Sequence, residues 1–252
     1  MSAVVASAHA APLANYDFND TLSSSAGVVP DLVDLGAGSY LTETVLGNEC
    51  RVFDFAEQTG FSLDISAFPG LAEYTFVFVF RLEDTYDYGK ILDLADRVED
   101  YGLYAEDMDL VYYDYDDNDS QLLADDTWAL AVFTRDAFGN IAGHVNGAES
   151  FAMFDSEDVA DVDTDTLYFF RDDLDTSDDE NSAGRVANIQ IYDRSISPFD
   201  VQGLQFGCDG VTGFPEEQAS EPVPATGRIS LLLLMLVLGM SGVLVLMRRR
   251  SA

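Results

Sequence analysis

The sequence predicts an all-β fold, a two-sheet antiparallel β-sandwich of the jelly-roll type, followed by one C-terminal transmembrane helix. Short segments rich in aromatic and β-branched residues alternate with Gly, Asp and Asn, which favours many strands joined by tight turns. No long amphipathic helical pattern interrupts them, which favours a sandwich over an α/β fold. A long uncharged segment near the C-terminus supplies the one long predicted helix.

Ten segments carry the strand pattern. The clearest, Tyr74–Leu82, alternates strictly and places Phe76, Phe78 and Phe80 on one face. Residues 136–140 and Asn146-Gly147 suit hairpin turns, and Ser197-Pro198 suits the start of one short helix. The predicted strands are Arg51–Phe55, Phe61–Ile65, Tyr74–Leu82, Gly89–Leu94, Tyr101–Tyr104, Leu110–Tyr115, Trp128–Thr134, Ile141–Val145, Thr166–Phe170 and Val186–Tyr192.

The charge of the chain is strongly negative. Twelve basic residues stand against 46 acidic ones, a formal net charge of −34. Such a surface repels phosphate groups, which excludes nucleic acid as a partner and disfavours anionic lipid headgroups. Two explanations of the charge stay open, solubility in salt water and binding of divalent cations, and the single lysine, Lys90, fits either.

The two ends of the chain indicate export. Residues 229–247 form an uncharged apolar segment long enough to span a bilayer, and Arg248, Arg249 and Arg250 follow it, which places the preceding domain outside the cell. Residues 1–14 resemble the remnant of a signal peptide, with Ala8-His9-Ala10 as a small-x-small cleavage pattern; a disordered leader is the alternative.

A polar, Pro-containing linker at residues 208–228 precedes the apolar segment. Its motif, the apolar span and the terminal arginines together resemble the C-terminal sorting signals of bacterial surface proteins, of the LPxTG type or the PEP-CTERM/IPTL-CTERM type. This resemblance implies a sorting or processing peptidase as a partner and leaves open whether the span is cut. The motif residues are Val223, Pro224, Ala225, Thr226 and Gly227.

The two cysteines, Cys50 and Cys208, permit one disulfide in an exported chain; two buried free thiols are the alternative. The two histidines have no partner motif for catalysis. His9 falls in the leader, and His144 lies on a β-type segment, where a surface or structural role is expected.

A series of segments in fixed order carries a family resemblance. Trp128 to Asp136 ends in Thr-Arg-Asp, Val145-Asn146-Gly147 follows, and a late strand ends in Ile191-Tyr192-Asp193. With Leu167 to Asp173 and Lys90 to Asp93, this order resembles the concanavalin A-like lectin/glucanase superfamily, in its laminin-G-like or pentraxin-like branch. The resemblance covers residues 15–207 and implies a two-sheet jelly roll.

Two loops are dense in acidic residues. The first, Asp114 to Asp119, lacks the glycine and terminal glutamate of a helix–loop–helix calcium site. The second follows a strand and precedes Gly184, so that carboxylates from both its ends could converge on a Ca²⁺ ion. Asp172, Asp173 and Glu180, which resemble elements of relatives, are the predicted metal ligands; a solvated acidic loop is the alternative.

No pair of carboxylates suits a glycosidase. The nearest run, Glu106 to Asp109, lacks the second glutamate at the spacing that the laminarinase-type relatives use, so no catalytic residue is assigned. The expected function is a non-catalytic binding or adhesion domain for a glycan or an extracellular protein. A structural surface or matrix component, and a degenerate glycoside hydrolase-like domain, are the alternatives.

Six tyrosines could line a ligand surface, whereas Trp128 is expected in the core. The tyrosines are Tyr86, Tyr88, Tyr101, Tyr112, Tyr113 and Tyr115.

Overall fold

The computed structural model describes residues 11–27, 29–113, 120–162, 164–174 and 180–214. The predicted sorting motif, the apolar segment 229–247, the terminal arginines and most of the leader lie outside these residues. Within the described ranges, no helix has the length and apolar character that crossing a membrane requires.

The described chain consists of sixteen strands and one short helix. They are β1 (Ala14–Tyr16), β2 (Val33–Asp34), β3 (Ser39–Val45), β4 (Asn48–Phe55), β5 (Phe61–Asp64), β6 (Tyr74–Leu82), β7 (Gly89–Asp93), β8 (Gly102–Glu106), β9 (Asp109–Tyr113), β10 (Ala129–Arg135), β11 (Asn140–Val145), β12 (Ala148–Phe154), β13 (Thr166–Phe169), β14 (Gly184–Tyr192), α1 (Pro198–Val201), β15 (Gln205–Gly207) and β16 (Gly210–Thr212).

The strands form two large antiparallel sheets and one small hairpin. The first sheet has the order β12-β11-β10-β6-β14-β4-β3, and β1 also pairs with β14. The second has the order β2-β5-β13-β7-β8-β9, and β15 pairs with β16. The two antiparallel sheets confirm the all-β sandwich that the sequence predicts.

The main core lies between the two large sheets. The inward face of β6 contributes Phe76, Phe78 and Phe80, which pack with Phe61 and Phe169 of the second sheet. The alternation of β6 produces this face, because side chains two residues apart point to the same side of a strand. The predicted phenylalanine face is therefore correct, and it forms the centre of the sandwich.

A second apolar cluster covers the outer face of the first sheet. Val77 and Val79 point away from the main core and pack with Val201 of α1, Val211 of β16 and Phe214. Consequently β6 is buried on both faces.

The short helix α1 begins where the sequence predicts. The Ser197 side chain caps it by accepting a hydrogen bond from the backbone N–H of Asp200, and Pro198 follows the cap.

A disulfide ties this outer layer to the sheet. Cys50 lies on β4, Cys208 lies in the turn between β15 and β16, and their Cα atoms are 5.3 Å apart. The bond joins residues 158 positions apart in the sequence. The fold thus continues past residue 207, the predicted end of the domain, as far as Phe214.

All ten predicted strands are present, most with ends shifted by one to three residues. Both predicted turns also exist: Asn146 and Gly147 adopt positive φ between β11 and β12, and the Asp136 carboxylate accepts the backbone N–H groups of Phe138 and Asn140. The sequence reasoning missed β1, β2, β3, β12, β15 and β16.

Candidate functional site

A fully buried lysine surrounded by carboxylates lies where β7, the β7–β8 loop and the segment after β13 meet. The Nζ of Lys90 lies 2.8 Å from Asp173, 3.5 Å from Asp93, 3.8 Å from Asp172 and 3.9 Å from Asp100. The side chains of Lys90, Asp93, Asp172 and Asp173 have no exposed surface. We call these five residues the Lys90 cluster.

Asp93 connects the cluster to the β7–β8 loop. Its Oδ1 accepts the backbone N–H groups of Ala95 and Arg97, which turn the chain away from β7. Its Oδ2 is buried and makes no hydrogen bond. One oxygen of Asp93 therefore shapes the loop, while the other faces the Lys90 ammonium.

Asp172 connects the cluster to the strand that follows. Its Oδ2 accepts the backbone N–H of Glu180, and its own N–H donates to the Asn181 side chain. Its carbonyl oxygen accepts from Nε of Arg97, so the β7–β8 loop is held against the β13–β14 segment.

Tyr104 closes the cluster on the β8 side. Its hydroxyl donates to Asp100 Oδ1 at 2.7 Å, and its ring centroid lies 4.6 Å from Nζ of Lys90. Burial, followed by the Asp100 carboxylate, raises the pKa of Tyr104, so the hydroxyl stays protonated.

Burial, together with the crowding of carboxylates, raises the pKa of several groups in and beside the Lys90 cluster. Burial raises the pKa of Glu180 to about 7, and the nearby carboxylates of Asp100, Asp172 and Asp173 add to the shift. The pKa of Asp100 rises to about 6, chiefly through burial. Burial also raises the pKa of Asp93 and Asp172. One ammonium thus faces more negative charge than it can balance.

The structure brings together two of the three predicted metal ligands. Oxygen atoms of Asp172, Asp173 and Asp100 lie within 4.8 Å of one another, so Asp100 joins the predicted pair. Carboxylate oxygens are the ligands that Ca²⁺ prefers, at about 2.3–2.6 Å. Because Nζ of Lys90 lies within 3.9 Å of all three, a calcium ion would compete with the ammonium for this place.

Sequence reasoning missed Lys90, Asp93, Asp100 and Tyr104 as members of this site. One signal was available: the chain's single lysine stands in the short strand Gly89–Asp93, next to the apolar pair Ile91-Leu92 and three residues before Asp93. A lone lysine in such a strand needs a buried partner, because an isolated buried charge is costly.

An open groove of about 980 Å³ lies beside the cluster. Three loops line it, those between β5 and β6, between β7 and β8, and between β12 and β13. Its wall combines apolar side chains with exposed carboxylates. The lining includes Leu71, Leu94, Val98, Tyr101, Asp96, Glu99, Glu157, Asp158, Asp161 and Asp165.

Arg135 holds the β12–β13 wall of this groove. Its guanidinium pairs with Asp155 at 3.4 Å, Asp158 at 3.1 Å and Asp161 at 2.6 Å, and it donates to the carbonyl of Ala72. Asp155 in turn accepts the backbone N–H groups of residues 159 and 160. The loop is therefore fixed by charge-assisted contacts to β10.

The remaining candidates are distributed over the molecule. Tyr112 belongs to the core, Tyr86 and Tyr88 are exposed, and Tyr113 packs against Tyr88 and Tyr104. Of the five tyrosines that the structure describes, Tyr101 lines the groove. The first acidic loop, with Tyr115, lies outside the described residues. Trp128 is partly buried and packs against the outer apolar cluster.

His144 is buried and not on the surface. Both its ring nitrogens lack a hydrogen-bond partner, and burial lowers its pKa while Glu149 opposes the shift. Of the two roles expected for this residue, the structural one fits its position on β11.

No protein-family model and no curated protein sequence matches the chain. Several solved structures share its fold. Domain 4 of AbnA, a GH43 extracellular arabinanase from Geobacillus stearothermophilus, in complex with arabinotriose, is 17% identical with a TM-score of 0.59, over 77% of this chain and 98% of that one.

Botulinum neurotoxin binding domains also share the fold. The binding domain of neurotoxin DC, in complex with rat synaptotagmin II, is 11% identical with a TM-score of 0.54. A structure of botulinum neurotoxin type C, whose cell entry depends on two ganglioside molecules, is 13% identical with a TM-score of 0.54. Each match covers 76% of this chain and half of the neurotoxin chain. These likenesses confirm the β-sandwich.

Proposed function

We propose that this chain is an exported, non-catalytic binding domain that recognises a neutral glycan in the groove beside the Lys90 cluster. The observation that carries the proposal is the groove itself, in which Tyr101 and the apolar side chains Leu94 and Val98 lie among exposed carboxylates. An aromatic ring offers a stacking surface for a sugar ring, and carboxylates accept hydrogen bonds from sugar hydroxyls.

Charge favours a neutral ligand over an anionic one. The groove carries Asp96, Glu99, Asp158 and Asp165, and the whole chain has a formal net charge of −34. Such a field repels uronate and sulfated polysaccharides. The complex of AbnA domain 4 with arabinotriose supports a neutral saccharide as the ligand class.

Burial supports the non-catalytic assignment. Asp172 and Asp173, two of the three carboxylates whose oxygen atoms lie within 4.8 Å of one another, have no exposed surface, so a glycosidic bond cannot reach them. A displayed structural component without a ligand is the alternative, and a glycosidase is the weaker one. Release of reducing sugar from the ligand polysaccharide would favour the glycosidase.

Export and calcium belong to the same proposal. A disulfide between Cys50 and Cys208 suits an oxidising, extracellular setting. The tail would anchor the domain in the membrane until a sorting peptidase processes it.

Calcium would be held by Asp172, Asp173 and Glu180, with Asp100 as a further oxygen donor, and would stabilise the loops next to the groove.

Calorimetric titration of the full-length protein with arabino-oligosaccharides tests the glycan proposal, with polygalacturonate as the anionic comparison. We expect binding of the neutral sugar alone. Tyr101→Ala and Asp96→Asn should each weaken it about tenfold, close to 1.4 kcal/mol. Phe199→Ala is the matched control, because Phe199 is 83% exposed on α1, away from the groove. Failure of a panel of neutral glycans to bind would leave the structural alternative.

A further inference from the structure

Lys90 and Asp173 bring an amine nitrogen and a carboxyl group into direct contact. Nζ lies 2.8 Å from Oδ2 of Asp173, so the carboxyl carbon is close to the separation at which reacting atoms meet, about 3–3.5 Å. Neither side chain has any exposed surface. An intramolecular condensation requires that the amine and the carboxyl group touch in a place from which water is excluded, and this pair meets both conditions.

Asp93 places a base beside the nitrogen. Its Oδ2 lies 3.5 Å from Nζ, is buried and makes no hydrogen bond, whereas its Oδ1 is held by two backbone N–H groups. A buried carboxylate oxygen whose partner is an ammonium 3.5 Å away is poorly satisfied, which is costly in a structure that only needs stability. It is well placed to take a proton from Lys90 and to return it.

We propose that Lys90 and Asp173 condense to form an amide bond between their side chains. Asp93 takes one proton from the ammonium and passes it to an oxygen of Asp173. The nitrogen lone pair then forms the C–N bond at Cγ, and the C–O bond breaks. The departing hydroxyl takes a second proton from the nitrogen and leaves as water, so an ammonium and a carboxylate become an amide and one water, without any other reactant.

The environment of the pair favours the product. An ion pair buried among further carboxylates carries a large desolvation penalty, and the amide removes one positive and one negative charge from it. The Tyr104 ring covers Nζ, and the side chains of Lys90 and Asp173 have no exposed surface, which disfavours attack of water on the bond. The amide carbonyl would also remain beside Asp100 and Asp172, as an oxygen donor without the competing ammonium.

The bond would add a second covalent tie to the domain. Lys90 lies on β7 and Asp173 lies 83 positions later, after β13. The disulfide joins the first sheet to the outer hairpin, whereas this amide would lie at the end of the second sheet. Each sheet would then carry its own cross-link.

Mass spectrometry of the native full-length protein, purified in detergent and reduced, tests the proposal. Trypsin cuts after unmodified Lys and after Arg, so an amide at Lys90 should protect that site. We expect residues 82–97, uncut at Lys90, to be joined to residues 172–185, with a mass lower by one water than the sum of the two peptides. Cleavage at Lys90 with no joined species would overturn the proposal.

Two variants assign the roles. Lys90→Arg keeps the positive charge but removes the amine nucleophile, and should yield the two peptides separately, with no loss of water. Asp93→Asn keeps the size of the base and removes its proton transfer, so the joined fraction should fall severalfold. A joined fraction equal to that of the native protein would remove Asp93 from the reaction.

Discussion

Tyr104 and Asp100 share a 2.7 Å hydrogen bond that joins β8 to the loop preceding it. The phenol donates to a carboxylate whose charge is already disfavoured by burial. Tyr104→Phe should lower the free energy of unfolding by about 1–2 kcal/mol, because a hydrogen bond to a charged group is lost.

The same variant should raise the pKa of Asp100, because the Tyr104 hydrogen bond favours the carboxylate form. Urea unfolding and carboxyl-resolved NMR titration measure the two effects. Tyr86→Phe is the control, since Tyr86 is 63% exposed. Equal stability of both variants would contradict the assigned bond.

Stability should fall as the pH rises through neutrality. The pKa of Glu180 is about 7 in the folded protein, against an ordinary value of 4.5. A group with a raised folded-state pKa contributes its full stability below the unfolded pKa and loses it as the pH passes the folded one. We expect the free energy of unfolding to decline between about pH 5 and about pH 8.

Urea unfolding at several pH values measures this slope. Glu180→Gln should flatten it, because the side chain no longer titrates. Glu57→Gln, an exposed residue on the β4–β5 loop, should leave the slope unchanged. If the free energy of unfolding of Glu180→Gln depends on pH as that of the native protein does, a group other than Glu180 causes the pH dependence.

Arg135→Met should destabilise the domain strongly. Asp155 has no exposed surface and would be left without its cation, a loss of about 3–5 kcal/mol for a broken buried pair. Arg51→Met is the control: its partner Asp20 is exposed, and such a pair contributes about 0–1 kcal/mol. Glycan affinity should also fall in Arg135→Met, because the β12–β13 loop lines the groove. Similar losses of unfolding free energy in Arg135→Met and Arg51→Met would contradict the role of Arg135 as the cation of a buried pair.

Reduction of the disulfide should lower the free energy of unfolding by about 5 kcal/mol in the chain-entropy model, because the bond closes a very long loop. The bond joins Cys50 and Cys208, 158 positions apart. Unfolding of the reduced protein and of the Cys50→Ala/Cys208→Ala variant should agree with each other and differ from the oxidised protein. Identical midpoints with and without reductant would show that the bond does not constrain the unfolded chain.

Calcium should raise the unfolding midpoint relative to a chelator, because a ligand of the native state stabilises it by mass action. Asp172→Asn combined with Glu180→Gln should abolish the increase. Lys90→Met should enlarge it, because it leaves Asp100, Asp172 and Asp173 as free carboxylates without the Lys90 nitrogen that lies within 3.9 Å of each. An unchanged midpoint in all three proteins would leave these carboxylates without a metal.

The strands that the sequence predicts share one property: they bury at least one apolar face. β6 alternates Phe and Val and is buried except at Arg81, so its period is unmistakable. β3 reads Ser-Tyr-Leu-Thr-Glu-Thr-Val along an exposed edge, and β1 has only three residues. Neither carries enough periodic signal. β3 forms a local hairpin with β4, whereas the structure of β1 depends on long-range pairing with β14.

The site was predictable only in part for a related reason. Asp172, Asp173 and Glu180 are close in sequence, and their density alone marks the loop. Lys90 reaches Asp173 across 83 positions, which depends on β13 pairing with β7. Sequence spacing carries no information about that register.

The ends of the described domain lie side by side. Asn15 of β1 donates from its side chain to the carbonyl of Asp209, and Cys208 next to it is bonded to β4. A pulling force applied at residue 214 would reach that covalent bond after a few residues and pass directly into β4, which lies next to the edge strand β3 of the larger sheet. Under tension, only the last residues of the β15–β16 hairpin would peel away, and the groove on the far loops would keep its shape.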